Sequence, residues 1–334
     1  MIFGPVPTDE ALGAILAHSV GLGGRARLRK GRVLEAADIT RLNAAGITSV
    51  VVARPESGDV TENEAAGQLA RALVPDAGAA CLRLTEPFTG RVNLLAQGPG
   101  VAVLRTGDIE AANRVHPMIT VATVPQHQQI QDGGMVATIK IISYAVPRTA
   151  LDAACDLATG AIRLAAPVVQ NALLIVTETD GGAGLKGVDA IAGRVAAFGL
   201  RMRDPVVVPH DTDRLAQALR AARADLIMIL TASATSDPMD TAPEALRAAG
   251  GEVARFGMPV DPGNLLFIGA IGGAPVIGLP GCARAPALNG ADWVLSRLIC
   301  GIDVTADDIA GMGVGGLLKE IPSRPQPRAG KQTR

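Results

Sequence analysis

The sequence predicts an α/β fold built on a mostly parallel sheet, preceded by an α+β, β-rich N-terminal region. Three observations carry this. Between residues 172 and 256 short apolar runs alternate with amphipathic helical stretches, and strands that are apolar throughout belong in a parallel sheet buried on both faces. Between residues 81 and 146 the pattern is β-rich, with turns at Gly98-Pro99-Gly100 and Asp132-Gly133-Gly134. Every apolar run is interrupted by Gly, Pro or charge well short of the roughly 18 residues a spanning helix needs, so no membrane segment is expected.

Taken in order, the first segment has a Gly/Arg-rich loop over 21–31, a short helix capped by Asp38 and ended by Gly46, and a strand over 47–52. Thr61 followed by Glu64 has the spacing of a capping box ahead of a helix to Leu73. Strands are expected over 91–95, 101–104, 119–124 and 135–143. A helix over 150–165 follows Pro147-Arg148, with Leu151, Ala154, Ala158, Ile162 and Ala165 on one face, and a domain boundary is placed near 147. This gives an N-terminal region 1–146, an α/β domain 147–321 and a disordered, solvated tail 322–334.

Within the α/β domain the spacing predicts strands over 172–176, 206–208, 226–230 and 253–256, with helices over 185–198, 213–222 and 242–249. Two strands over 265–271 and 274–279, joined by Gly272-Gly273, read as a hairpin at one edge. A helix over 285–299 closes the domain.

The 334 residues carry 31 basic and 32 acidic side chains, one Trp, one Tyr and five Phe. That leaves neither bulk attraction to nucleic acid nor rings for base stacking. Cys81, Cys155, Cys282 and Cys300 form no close pair, which points to buried reduced thiols rather than zinc or a disulfide framework. His116 and His127 lack partners at ligand spacing and read as surface or turn residues. The N-terminus has no secretory pattern, and a cytoplasmic protein is expected.

In an open parallel sheet, ligands bind beyond the carboxyl ends of the strands, where loops enter helix N-termini. Four loops qualify: 177–187, with Gly181, Gly182, Gly184 and Gly187; 210–212; 231–240; and 279–282. The first is neither a P-loop nor GxGxxG, so its glycines serve either turn chemistry or close approach of a phosphate or flat ring. The loop 231–240 has four hydroxyls suited to phosphate or pterin, and Asp240 or Thr241 is placed to cap the next helix. Asp180, Asp211, Asp237 and Asp240 are either N-caps or, in part, ligands of Mg²⁺.

At these loops the sequence resembles the molybdopterin-binding family, which includes the molybdopterin adenylyltransferase, the molybdopterin molybdotransferase and the competence-damage-inducible proteins. The resemblance rests on Thr177-Glu178-Thr179-Asp180, His210-Asp211, the run from Ala232 to Asp240, Gly250-Gly251-Glu252-Val253, Pro262-Gly263 and Leu279-Pro280-Gly281-Cys282. Ala232 and Ser233 stand where the family has paired glycines, and Cys282 where it has Asn.

The resemblance implies a three-layer α/β/α fold and a role in molybdenum cofactor biosynthesis, with molybdopterin or its adenylylated form as ligand and Mg²⁺ as a possible companion. It implies cofactor-binding roles for Thr177, Gly181, Gly182, Ser233, Thr235, Ser236, Pro280 and Gly281, catalytic roles for Asp240, Asp211 and Asp180, and metal-binding roles for Asp240 and Asp237. It also implies a homo-oligomer and, as a non-catalytic alternative, a carrier or chaperone docking on a molybdoenzyme or another biosynthetic protein. A nucleotide pyrophosphatase is the third reading.

Overall fold

The computed structural model describes residues 1–181 and 184–318. Gly182 and the expected tail 322–334 lie outside the described residues. The chain divides into two compact units: Met1–Gln97, Ala102–Gln126 and Asp132–Leu164 form the first, and Gly98–Val101, His127–Gln131 and the chain from Ala165 form the second.

In the first unit, strand Ser49–Arg54 pairs antiparallel with Ile2–Pro7 and Ile15–Leu16, and helix Ala36–Ala44 adds Leu42 to a core with Leu16, Leu34, Val50 and Val52. Asp38 is not the N-cap. It sits in the helix's first turn, where its carboxylate accepts the Glu35 amide at 3.2 Å and Arg32 Nε at 2.6 Å. Thr61 does precede helix Glu62–Leu73, but its side chain makes no capping bond, so the expected capping box does not form.

A four-stranded antiparallel sheet follows, in the order Ile119–Thr123, Met135–Ile141, Arg91–Ala96, Leu82–Leu84. The β-rich reading of this stretch passed over helix Thr106–Val115, which buries only Ile109 and Ala112. The helix expected over 150–165 runs instead from Arg148 to Ala158. Gly160, at φ +67°, turns the chain, and Ile162 and Ala165 fall in strand Ile162–Ala165. Helix Arg148–Ala158 packs on Glu62–Leu73 and Thr106–Val115, which is why it groups with the first unit and the division falls after Leu164 rather than near 147.

The second unit holds a six-stranded sheet. Its elements are β1 (Ala172–Glu178), α1 (Val188–Ala196), β2 (Val206–Pro209), α2 (Thr212–Ala221), β3 (Leu226–Leu230), α3 (Thr241–Ala248), β4 (Glu252–Phe256), β5 (Phe267–Ile271), β6 (Ala274–Leu279), α4 (Gly290–Ile299) and α5 (Ala306–Gly311). The strand order is β2-β1-β3-β6-β5-β4. β2, β1, β3 and β6 run parallel, while β5 is antiparallel to both β6 and β4. The sheet is therefore mostly parallel, within a mixed α/β unit. The β5–β6 hairpin turns at Gly272 and Gly273, both at positive φ, but it is not at the edge. β4 takes that place, and the charges Glu252 and Arg255 suit a strand with one open side.

One face of the sheet is closed by α2 and α3. Leu215, Leu219, Ala245 and Leu246 pack with Leu173, Ile175, Ile227, Ile229, Phe267 and Val276. Residues of opposite parity, Leu174, Val176, Met228, Leu230, Ile277 and Leu279, are buried too, and α4 lies against β6. The parallel strands thus all end on one side, and the loops after them meet there.

Candidate functional site

Thr177 ends the buried part of β1 and is itself fully buried. A buried hydroxyl must place its proton and fill its lone pairs. The Ala232 amide, at the end of β3, donates to Thr177 Oγ1 at 2.9 Å. His210, just past β2, stands 2.8 Å from the same oxygen through Nδ1. The bond between Thr177 Oγ1 and Nδ1 fixes the orientation of the imidazole and aims Nε2 at the loop after β3. That nitrogen lies 3.2 Å from Ser233 Oγ. Three neighbouring strand ends are thereby linked by one chain of hydrogen bonds.

The loop after β3 folds on itself. Thr231 Oγ1 donates to the Ser233 carbonyl at 2.6 Å and lies 3.4 Å from the buried Thr235 hydroxyl. Ser236 is exposed and donates its hydroxyl to the Ala234 carbonyl. Its amide donates to Asp240 Oδ2 at 2.9 Å, and the Thr241 amide donates to Oδ1 at 2.7 Å, so Asp240 caps the start of α3 with one oxygen and ties down the loop with the other. These amides, that of Ser236 foremost, hold the Asp240 carboxyl below its usual range, and His210 adds to the effect.

Two arginines fasten the neighbouring loops. Arg194 of α1 donates to the carbonyls of Ala190, Ala283, Ala285 and Ala287 and pairs with Asp292 at 2.5 Å. It thereby holds the segment between β6 and α4, which opens as a 3₁₀ turn over Gly281–Arg284. Arg284 reaches the other way, donating to the carbonyls of Thr231 at 2.9 Å, Gly184 at 3.3 Å and Lys186. Among the described residues no carboxylate lies within ion-pair distance of it, and desolvation lowers its pKa. Gly187, at φ +92°, is where the loop passes over this turn: a Cβ there would stand 2.6 Å from Arg284 Cα.

The residues expected from the sequence are placed unequally. Thr177, Ser233, Thr235, Ser236 and Asp240 come together with His210. Asp211 caps α2 by accepting the Arg214 amide at 3.0 Å, and Asp237 accepts the Met239 amide at 2.8 Å within its own loop. Asp180 and Gly181 are exposed, while Pro280 and Gly281 open the 3₁₀ turn. Among the described residues no group of three or more His, Cys, Asp or Glu is arranged to hold a metal ion. With both Asp240 oxygens engaged by backbone amides, this carboxylate set does not fit a resident Mg²⁺. Sequence reasoning had not singled out Arg284, although it is the lone cation between Leu279 and Asp292.

Comparison with known families bears on these loops. Residues 187–298 match a probable molybdopterin binding domain. The matched domain takes in His210, the loop 231–240 and Arg284, and begins after Thr177. Residues 5–54 match a domain of unknown function. No curated protein shows significant similarity to the chain. Among solved structures, a molybdopterin biosynthesis MoeA protein from Pyrococcus horikosii is 14% identical, with 90% of this chain and 75% of that chain covered and a TM-score of 0.32. A molybdenum cofactor biosynthesis protein from Pyrococcus furiosus is also 14% identical, with 90% and 65% covered and a TM-score of 0.24.

Proposed function

We propose that the strand-end loops of the second unit bind molybdopterin or its adenylylated form, and that the chain acts in molybdenum cofactor biosynthesis as a binding and handling protein. The observation that carries this reading is the meeting of Thr177, His210, Ser233 and Arg284 at the carboxyl ends of parallel strands, largely inside the segment similar to a probable molybdopterin binding domain. Such strand ends are where open α/β sheets take their ligands. Handling is favoured over transfer chemistry because the carboxylates Asp211, Asp237 and Asp240 serve as acceptors for backbone amides.

Calorimetry with purified molybdopterin is the direct test, expected to give saturable one-to-one binding that Ser233→Trp abolishes by filling the loop; wild-type protein without binding heat or competition would remove the reading. The transferase reading gives Asp240 a role beyond capping, as its ionised carboxylate beside His210 allows. The same preparation, assayed for adenylylation and for molybdate insertion into the adenylylated pterin, is expected to bind without turnover. Turnover lost in Asp240→Asn would decide for the enzyme. Hydrolysis of ADP-ribose with a divalent ion would decide instead for a pyrophosphatase.

A further inference from the structure

The contrast between the two loop-fastening arginines is the starting point. Both give guanidinium N–H groups to backbone carbonyls and both are partly withdrawn from water. The carbonyl bonds of Arg284 run through Nη1 and one Nη2–H and, among the described residues, leave Nε–H and the second Nη2–H for a ligand. Arg194 is neutralised by Asp292 at 2.5 Å. Arg284 has carbonyl partners from Thr231, Gly184 and Lys186 and, among the described residues, no carboxylate. A carbonyl satisfies a donor without cancelling a charge, and a half-buried cation left in that state favours an anion that brings the missing charge. The partners of Arg284 and His210 fall on one short segment: Arg284 binds the carbonyl of Thr231, Thr177 binds the amide of Ala232, and His210 reaches the hydroxyl of Ser233. Ser233 is exposed, so Nε2 of His210 lies beside a group a ligand can reach. Asp240, whose carboxyl His210 helps to hold ionised, has both oxygens bonded to the Ser236 and Thr241 amides.

We propose that Arg284 and His210 form an anion-recognition pair flanking the 231–233 segment, and that the group they take is a phosphate or phosphoanhydride. The planar guanidinium supplies charge and directed N–H groups, which suit tetrahedral phosphate oxygens better than a halide. His210, held in place by Thr177, supplies the second donor. The pair belongs to the site proposed above for molybdopterin and gives that site its preference for the phosphorylated end of a ligand.

Inorganic pyrophosphate separates this inference from the larger reading. Calorimetry on the full chain is expected to show pyrophosphate binding, with chloride and acetate ineffective at the same ionic strength. Arg284→Gln is expected to weaken it by about tenfold or more, and His210→Ala by a smaller factor, because Arg284 brings the charge and His210 one further hydrogen bond. Arg284→Gln binding pyrophosphate like wild type, while molybdopterin still binds, overturns the pair and leaves the site standing. Failure of wild type to bind pyrophosphate while it binds molybdopterin also overturns the pair; failure to bind either removes both proposals. Should Arg284→Gln not fold, labelling of Arg284 in the wild-type chain by an arginine-specific dicarbonyl, read by peptide mass, carries the test. Saturating pyrophosphate is expected to slow that labelling by about threefold or more, and an unchanged rate overturns the pair.

Discussion

At the scale of single residues, the two amide bonds to Asp240 make a measurable prediction. Its carboxylate accepts amides from Ser236 and Thr241, and its folded pKa is depressed, first by the Ser236 bond. A carboxyl depressed on folding adds stability that is fully present above its unfolded pKa, about 3.9, and is lost as pH falls through the folded value. Asp240→Ala is therefore expected to cost about 1 kcal/mol at pH 7, the usual cost of losing an N-cap. The gap from wild type should shrink as pH falls from about 5 toward 2, because protonation removes the same interaction. Urea titrations at a series of pH values check this, and a gap that widened on acidification would contradict the assignment.

The residues behind this site differ in how far the sequence betrays them. Asp240 and Asp211 were legible as N-caps because capping is local: the acceptor and its amides lie a few positions apart. The partnership of Thr177 with His210 spans 33 positions and that of Arg284 with Gly184 spans 100. Arg284 also bonds to carbonyls, which every residue has, so no partner side chain in the sequence announces it.

At the scale of elements, the hairpin from β5 to β6 carries the sharpest packing constraint. Gly278 on β6 faces Phe267 on β5, and a Cβ on Gly278 would fall within the Phe267 ring. Phe267 is only 1% exposed and packs in the core under α2 and α3, so it has nowhere to withdraw. Gly278→Ala is expected to destabilise by about 1–3 kcal/mol, the usual cost of overpacking a filled core. Phe267→Leu in the same chain should return part of that loss, because the two residues share one space. A thermal-melt double-mutant cycle reads the coupling; strict additivity would refute the contact. Two close apolar runs joined by the Gly272-Gly273 turn made this hairpin readable in the sequence. Its place inside the sheet was not, because strand order is set by long-range packing. The signal that existed was in β4, where Glu252 and Arg255 mark a strand with an open side. Helix Thr106–Val115 was missed for a related reason: with two buried residues it has too thin an apolar stripe to stand out among strands.

At the scale of the whole molecule, the second unit is not one continuous length of chain. Gly98–Val101 and His127–Gln131 belong to it, and Gly100 and Val101 pair antiparallel with Ile130 and Gln129. Val101 also makes a backbone hydrogen bond with the Cys300 thiol, whose pKa burial raises to about 12. A fragment cut at the apparent boundary, residues 165–318, would leave this part of its core without those backbone partners. Losing them is expected to lower the melting midpoint of the second unit by roughly 5 °C or more, taking about 2–4 °C per kcal/mol for a unit of this size. A fragment of residues 98–318, which keeps both crossing segments tethered, should recover most of that loss. Circular dichroism melts of the two fragments beside the full chain give the comparison, and equal midpoints for both fragments would show that the crossing segments contribute nothing to the unit that carries the site.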